Sequence, residues 1–269
     1  MKKIGFIDFY ISEWHANNYP VWIKQICEAN GEDFKVAYVW AEQDVSPVDG
    51  KTTDAWCAEF GAERCATIDE LCEKSDYVLI LAPTNPEKHL GYAREALKHC
   101  KNTYIDKTFA PDYATSKEIF DIARSYGTKF FSSSALRYST ELDGLEGAAN
   151  VSTTGGGSNI DEYIIHQAEM VIRLTDAYPT NVSVEKNGEE YVCRAELEGG
   201  KSANLTFSPA LPFTIEADGV KKSIGSDFFR ALLTDILRFF KDGEASFDTE
   251  QTLKVMKLRE AIINAQNVL

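Results

Sequence analysis

Tyr77-Val78-Leu79-Ile80-Leu81-Ala82, stopped by Pro83, decides the fold. An unbroken apolar run of this length, with no polar alternation, describes a strand covered on both faces, and such strands belong to parallel sheets flanked by helices. The same pattern repeats on either side. Upstream, Lys3 to Phe9 and Phe34 to Trp40 are short apolar runs, and helical spacing runs from about Asn17 to Ala29, ending at Asn30-Gly31. Thr53 to Phe60 reads as a helix stopped by Gly61, and Thr67 caps a short helix through Leu71. Downstream, Glu87 to Cys100 is helical, and a strand leads into Tyr104-Ile105-Asp106-Lys107. Asp112 to Tyr126 is a helix closed by Gly127, and Thr128 to Ser132 is a further strand. Strands alternating with helices predict an α/β, Rossmann-like doubly wound parallel sheet over residues 1–132.

Past Ser132 the pattern changes. Gly144, Gly147 and Gly155-Gly156-Gly157 mark loops, and Asp161 to Leu174 is an amphipathic helix. Val182 to Lys186 and Tyr191 to Leu197 flank Asn187-Gly188, a hairpin signal. Lys201 to Phe207, Phe213 to Ala217 and Val220 to Ile224 continue the alternation, and helices follow at Asp227 to Phe240 and Thr249 to Val268. Residues 133–269 are therefore expected to form a C-terminal α+β domain with a mostly antiparallel open sheet. One face of such a sheet is often uncovered, and here it is expected to serve as a homo-oligomer interface.

A net charge of -14 and a pI near 4.8 argue against nucleic acid, whose phosphates need a basic surface, and against an anionic membrane. Cys27, Cys57, Cys65, Cys72, Cys100 and Cys193 form no C-x-x-C pair, and the four histidines show no zinc-ligand spacing, so no metal is expected. Met1-Lys2-Lys3 leads directly into a strand with no cleavable signal, which points to the cytoplasm.

In an open α/β sheet, ligands bind outside the carboxyl ends of the strands. Asp106 and Lys107 stand at such an end, where the alternative reading is a solvated turn pair. A dinucleotide fold normally presents glycines in its first strand-to-helix turn. This turn, Asp8-Phe9-Tyr10-Ile11-Ser12-Glu13-Trp14-His15, has none: two carboxylates and three large aromatic side chains stand where a pyrophosphate would sit. Glu42, after the second strand, is of the type that accepts ribose hydroxyls and repels a 2′-phosphate. It favours NAD over NADP if either binds. On the helix from Asp161, Glu162, His166 and Glu169 share one face, a candidate acid–base or substrate group. Trp14, His15, Asn17 and Asn18 are either a private ligand contact or a loop packed on its own helix.

The order of parts resembles the glucose-fructose oxidoreductase/inositol dehydrogenase (Gfo/Idh/MocA) family over nearly the whole chain. Ala82-Pro83-Thr84-Asn85-Pro86-Glu87-Lys88-His89 is similar to the family's Pro-Asn turn and following histidine, with one residue extra. Asp106-Lys107-Thr108 stands for its Glu-Lys-Pro, and Arg137-Tyr138 for the Arg-Tyr ending its first domain. Glu162-Tyr163-Ile164-Ile165-His166-Gln167-Ala168-Glu169 stands for Asp-x-Gly-x-His-x-x-Asp, and Arg259-Glu260-Ala261-Ile262 resembles the final Ala-Ile helix. The resemblance implies an NAD(P)-dependent oxidoreductase acting on a sugar, cyclitol or related polyhydroxy small molecule. It implies Lys107, His166 and Glu162 at the chemistry, and Arg137 and Tyr163 with His166 at the substrate. The cofactor would lie along Asp8, Phe9, Tyr10, Ile11, Glu42, Pro83, Thr84, Asn85, His89, Asp106 and Lys107. The chain departs from the family in its missing glycines, in Thr108 for proline, and in Ile164 for the helix glycine. Two other readings stand beside it: a binding or accessory protein that has lost the dinucleotide, and a sugar isomerase or lyase using Lys107 and His166 without redox chemistry.

Overall fold

The computed structural model describes residues 1–268. The chain divides into two compact units, Met1–Ser132 with Leu232–Thr249, and Ser133–Ala231 with the chain from Glu250 onward.

The first unit is built on β1 (Lys2–Tyr10), α1 (Trp14–Asn30), β2 (Phe34–Gln43), α2 (Thr53–Phe60), β3 (Glu63–Arg64), α3 (Ile68–Lys74), β4 (Tyr77–Ile80), α4 (Pro86–Ala96), β5 (Thr103–Ile105), α5 (Tyr113–Tyr126) and β6 (Phe130–Phe131). Its strands form one parallel sheet in the order β3-β2-β1-β4-β5-β6. This is the order of a doubly wound Rossmann sheet. The unbroken apolar runs have the predicted cause: Ile4, Phe6 and Ile7 of β1 and Val78, Leu79 and Ile80 of β4 are wholly buried. At roughly 1.5–3 kcal/mol for each large side chain removed from water, these central strands are the main source of the unit's cohesion. The two-residue β3 carried no sequence signal, because an exposed Glu-Arg pair has no apolar face.

The second unit holds β7 (Asn150–Gly155), α6 (Ile160–Thr175), β8 (Pro179–Asn187), β9 (Glu190–Leu197), β10 (Lys201–Phe207), β11 (Thr214–Ala217) and β12 (Val220–Ser223), with the sheet order β12-β11-β7-β10-β9-β8. The β8–β9 hairpin turns at Asn187-Gly188 as expected. Most pairings are antiparallel, but β7 runs parallel to β10 in the middle of the sheet. The sequence marks Gly155-Gly156-Gly157 as loop and offers no strand signal for the residues before it. The segment is rich in Ser, Thr and Gly, and only Val151, Thr153 and Gly155 face inward.

Two helices close the chain, α7 (Phe228–Asp242) and α8 (Gln251–Gln266). The expectation placed all of 133–269 in the second domain, but Leu232–Thr249 belongs to the first unit. The reason is aromatic: Phe240 stacks on Tyr77 at 4.7 Å between ring centroids, and Phe239 meets Phe131 edge-on at 5.0 Å. Among the described residues no helix is long and apolar enough to cross a membrane, and no group of three His, Cys, Asp or Glu side chains is placed to hold a metal ion.

Candidate active site

The strand order of the first unit reverses between β1 and β4, which is where a doubly wound sheet opens its ligand crevice. Asp8 stands there at the end of β1, only 1% exposed. Its Oδ1 accepts from the N–H groups of Phe9 (2.7 Å) and Ala82 (3.0 Å), while Oδ2 is buried with no hydrogen-bond partner. Burial first, and then the charge of Glu13, push the Asp8 carboxyl well above the usual range. Ala82 has φ 53, a left-handed backbone that costs a non-glycine residue about 1–2 kcal/mol. The bond from Asp8 holds it there and ties the ends of β1 and β4 together.

Glu13 caps α1. Its carboxylate accepts from the backbone N–H of His15 (2.8 Å) and of Ala16, and so satisfies two of the helix's otherwise unpaired donors. This cap starts the helix at Trp14 rather than near Asn17. Burial pushes the Glu13 carboxyl up in spite of these bonds and of His15. His15 pairs through Nδ1 with Asp106 Oδ2, and its ring stacks on Tyr19 at 5.1 Å. Asn17 accepts from the Trp56 indole (2.8 Å), and Asn18 donates to the Trp14 carbonyl (2.7 Å). All four residues weighed as a private ligand contact are thus engaged within their own unit, Trp14 through edge-on contacts of its indole with the His15 and Trp22 rings at 5.3 and 5.6 Å. Trp14 is 52% exposed.

Asp106 follows β5 and is buried. Its Oδ1 accepts from the Tyr104 hydroxyl (3.2 Å) and the Lys107 N–H (2.8 Å). Burial alone would raise this carboxyl, but His15, by charge and hydrogen bond, and then Lys107 outweigh it and hold it below the ordinary carboxylate value. The solvated turn pair is therefore not what forms: Asp106 is an internal post, and only Lys107 beside it is half-buried, with Nζ 3.5 Å from the Pro83 carbonyl. His89, expected at the cofactor, lies in the core instead. Its ring nitrogens face the carbonyls of Leu81 (2.5 Å) and Phe109 (3.0 Å), and burial lowers its pKa. It links the end of β4 to the segment that carries Lys107.

Glu42, expected at the ribose, accepts from the Lys88 ammonium (2.5 Å) and the Tyr92 hydroxyl (2.7 Å). Partial burial pushes it up, but these two bonds bring it below the ordinary value. Both carboxylate oxygens are engaged, and the Lys88 ammonium also lies 4.8 Å from the centre of the Phe9 ring. Phe9 and Tyr10 are half-buried and Ile11 is buried. Pro83 and Asn85 are half-buried and Thr84 is exposed in the turn into α4, where Asn85 donates to Glu87 (3.0 Å).

In the second unit, His166 sits on α6 with Nδ1 2.6 Å from Ser134 Oγ. Tyr163 and Phe213 flank its ring, at 5.6 and 5.9 Å between centroids. Tyr163 lies against Gly157, where a Cβ would fall 2.1 Å from the ring, so the glycine run serves as the seat of this aromatic. Glu162, one turn before His166, is exposed and accepts from Ser158 Oγ (3.2 Å). Glu169, one turn after it, is not an acid–base flank. It turns inward to pair with Arg137 Nε and accepts from Ser133 Oγ (3.3 Å) and the Ser134 N–H (3.3 Å). Arg137, expected at the substrate, is buried in this network and also donates to Gln251 (2.8 Å). The pair's task is to hold Ser134, which in turn orients His166. Sequence spacing placed Glu169 on the histidine's face but carried no sign of a partner 32 residues away.

With this geometry in hand, residues 29–134 match the family described as an oxidoreductase family with an NAD-binding Rossmann fold, Gfo/Idh/MocA. That segment is similar to the Gfo/Idh/MocA family. The Gfo/Idh/MocA match begins within α1, after the glycine-free turn. A 60-residue stretch is 37% identical to the uncharacterized oxidoreductase YhhX of Escherichia coli, and it covers 22% of this chain and 17% of that protein. Among solved structures, myo-inositol dehydrogenase from Lactobacillus casei, in complex with NAD(H) and myo-inositol, superposes with a TM-score of 0.79 at 13% identity, covering 99% of this chain and 94% of that one. UDP-N-acetylglucosamine 3-dehydrogenase GnnA from Acidithiobacillus ferrooxidans does so with a TM-score of 0.73 at 15% identity, covering 98% and 97%. At these identities the likeness is one of fold.

The family's cofactor can be tested against the first turn. A pyrophosphate there needs close backbone approach and free N–H groups at the helix N-terminus. Here the N–H groups of His15 and Ala16 are taken by Glu13, and the buried Asp8 carboxyl stands at the place of the first glycine. The turn does not fit the pyrophosphate.

Proposed function

We propose that this protein is an oxidoreductase acting on a sugar, cyclitol or related polyhydroxy compound, with NAD(P) as the family's hydride partner. The observation that carries the reading is the family match across the segment that ends β5 in Asp106-Lys107. A carbinol that loses hydride must also lose its hydroxyl proton, so a positioned base is required. Lys107 and His166 are assigned this proton, Glu162 and Tyr163 the substrate hydroxyls. Asp106 and His89 position the segment bearing Lys107, and Ser134, Arg137 and Glu169 position His166. The test is a titration of cofactor-stripped protein with NADH and NADPH, read by nicotinamide fluorescence, followed by a panel of sugars and cyclitols with NAD+ and NADP+. Saturable binding and turnover of at least one polyhydroxy compound are expected. Failure of both nucleotides to bind would sink the redox reading.

The closed first turn favours a second reading, in which the same acid–base groups serve a sugar isomerase or lyase, or simply bind the sugar, without a dinucleotide. Turnover by dialysed protein in the absence of nucleotide supports that version.

Self-association through the sheet of the second unit belongs to the same proposal. Its outward positions include Arg194, Glu196, Asn204 and Glu185, a polar face suited to paired contacts rather than to a buried core. Light scattering at micromolar concentration is expected to give more than one chain's mass, and a monomer would exclude the interface.

A further inference from the structure

We propose that Glu13 is the resident anion of the first Rossmann turn: its carboxylate holds the place at the N-terminus of α1 that a dinucleotide pyrophosphate takes in this fold. The protein then binds its ligands with no phosphate at that position. The inference concerns the turn alone and holds whether or not hydride chemistry takes place beside Lys107.

The geometry is that of an occupied anion site. A helix N-terminus attracts negative charge through its free N–H groups and its dipole. Here one carboxylate meets both the second and third helical N–H groups, those of His15 and Ala16, and Glu13 is only 7% exposed. The anion is part of the chain, so its binding costs no translational freedom, whereas a pyrophosphate must displace it and lose that freedom on arrival. Displacement also forfeits the cap.

The surroundings point the same way. Asp8 and Asp106 lie close enough to act on each other and on Glu13 electrostatically. The imidazole nearest to them, His15, is engaged with Asp106. A pyrophosphate would add two further negative charges to this group. Asp8 also joins β1 to the end of β4 through Ala82, across the opening that the diphosphate would cross. Finally, the stretch that matches the family begins at residue 29, so the turn lies outside the part of the chain that keeps the family's pattern.

The experiment follows the backbone amides of His15 and Ala16 by NMR in the full-length 15N-labelled protein. A pH titration first checks the assignment: both signals should move as the Glu13 carboxylate takes a proton, and this movement should shrink in Glu13→Gln to what the neighbouring Asp8 and Asp106 carboxyls produce. If the wild-type signals ignore pH, the inference is overturned. ADP, inorganic pyrophosphate and NADH are then added, with nicotinamide fluorescence read in parallel. The expected result is no saturable shift of either amide with any probe up to millimolar concentration. If NADH binds by fluorescence while the amides stay still, the inference and the redox reading both stand. If NADH does not bind and the amides stay still, the inference stands and the redox reading falls. If ADP, pyrophosphate or NADH moves both amides with saturation, the inference is overturned whatever the turnover.

Discussion

Lys107→Ala and His166→Ala are each expected to lower the turnover of a polyhydroxy substrate by about 10²–10⁴-fold, the usual contribution of a positioned acid or base. Removing a proton-transfer group should fall on kcat, with a smaller change in KM, because the interaction matters most as the hydroxyl proton leaves. Lys107→Arg should not restore the rate. A guanidinium cannot give up its proton to reach the neutral form that an acceptor needs, as an amine can, although it preserves the charge beside Asp106. Ser134→Ala should cost less than His166→Ala, since it loosens the ring through Nδ1 without removing it. The pH profile separates the roles: the wild-type limb that reports the base should disappear in the alanine variant that removes it. Turnover within tenfold of wild type in both Lys107→Ala and His166→Ala would assign the chemistry to other residues.

The parts of this architecture that sequence reading captured are those written in local pattern. Continuous apolar runs marked β1, β2 and β4, because a strand covered on both faces has no polar positions to hide. The strand end before Asp106-Lys107 was visible as an apolar run, and the hairpin at Asn187-Gly188 because a tight turn restricts residue choice. What escaped depends on residues far apart in the chain. Asp106 and His15 are 91 positions apart, and nothing near Asp106 signals a buried partner. Glu13 was legible as an obstacle to phosphate, but its role as helix cap depends on a side-chain direction that spacing does not set. β7 failed for another reason. Its inward positions are Val, Thr and Gly, too small to look like a core strand until neighbouring strands supply the bulk. Arg137 and Glu169 share a feature with Asp106: the buried counter-charge of each lies far along the chain and leaves no local sign.

That counter-charge makes Asp106→Ala the substitution with the largest expected effect on stability. Removing one member of a buried hydrogen-bonded pair leaves the other unsatisfied, at a cost of about 1–3 kcal/mol and more for a charged group. Asp106 is 1% exposed and also accepts from the Tyr104 hydroxyl and the Lys107 N–H, so its loss reaches the core and the segment bearing Lys107 together. All four tryptophans, Trp14, Trp22, Trp40 and Trp56, belong to the first unit, so denaturation followed by tryptophan fluorescence reports that unit alone. At pH 7 the urea midpoint of the variant should fall in proportion to this loss, and Asp106→Asn should fall less, since its amide keeps the shape and one acceptor. The pH dependence supplies the sign. The folded carboxyl lies below its ordinary value of 3.8, so its contribution is complete above that pH and is lost as pH falls through the folded value. The gap between wild type and Asp106→Ala should therefore narrow below about pH 3.8. Asp8 acts in the opposite sense, because a raised folded carboxyl makes stability decline as pH rises from its ordinary value to the folded one. It is present in both proteins, but the Asp106 charge is the smallest of the causes that raise it, so its decline with pH is slightly weaker in Asp106→Ala. A gap that stays constant down to the acid limit would mean that Asp106 stabilises the fold by shape and not by its charge against His15.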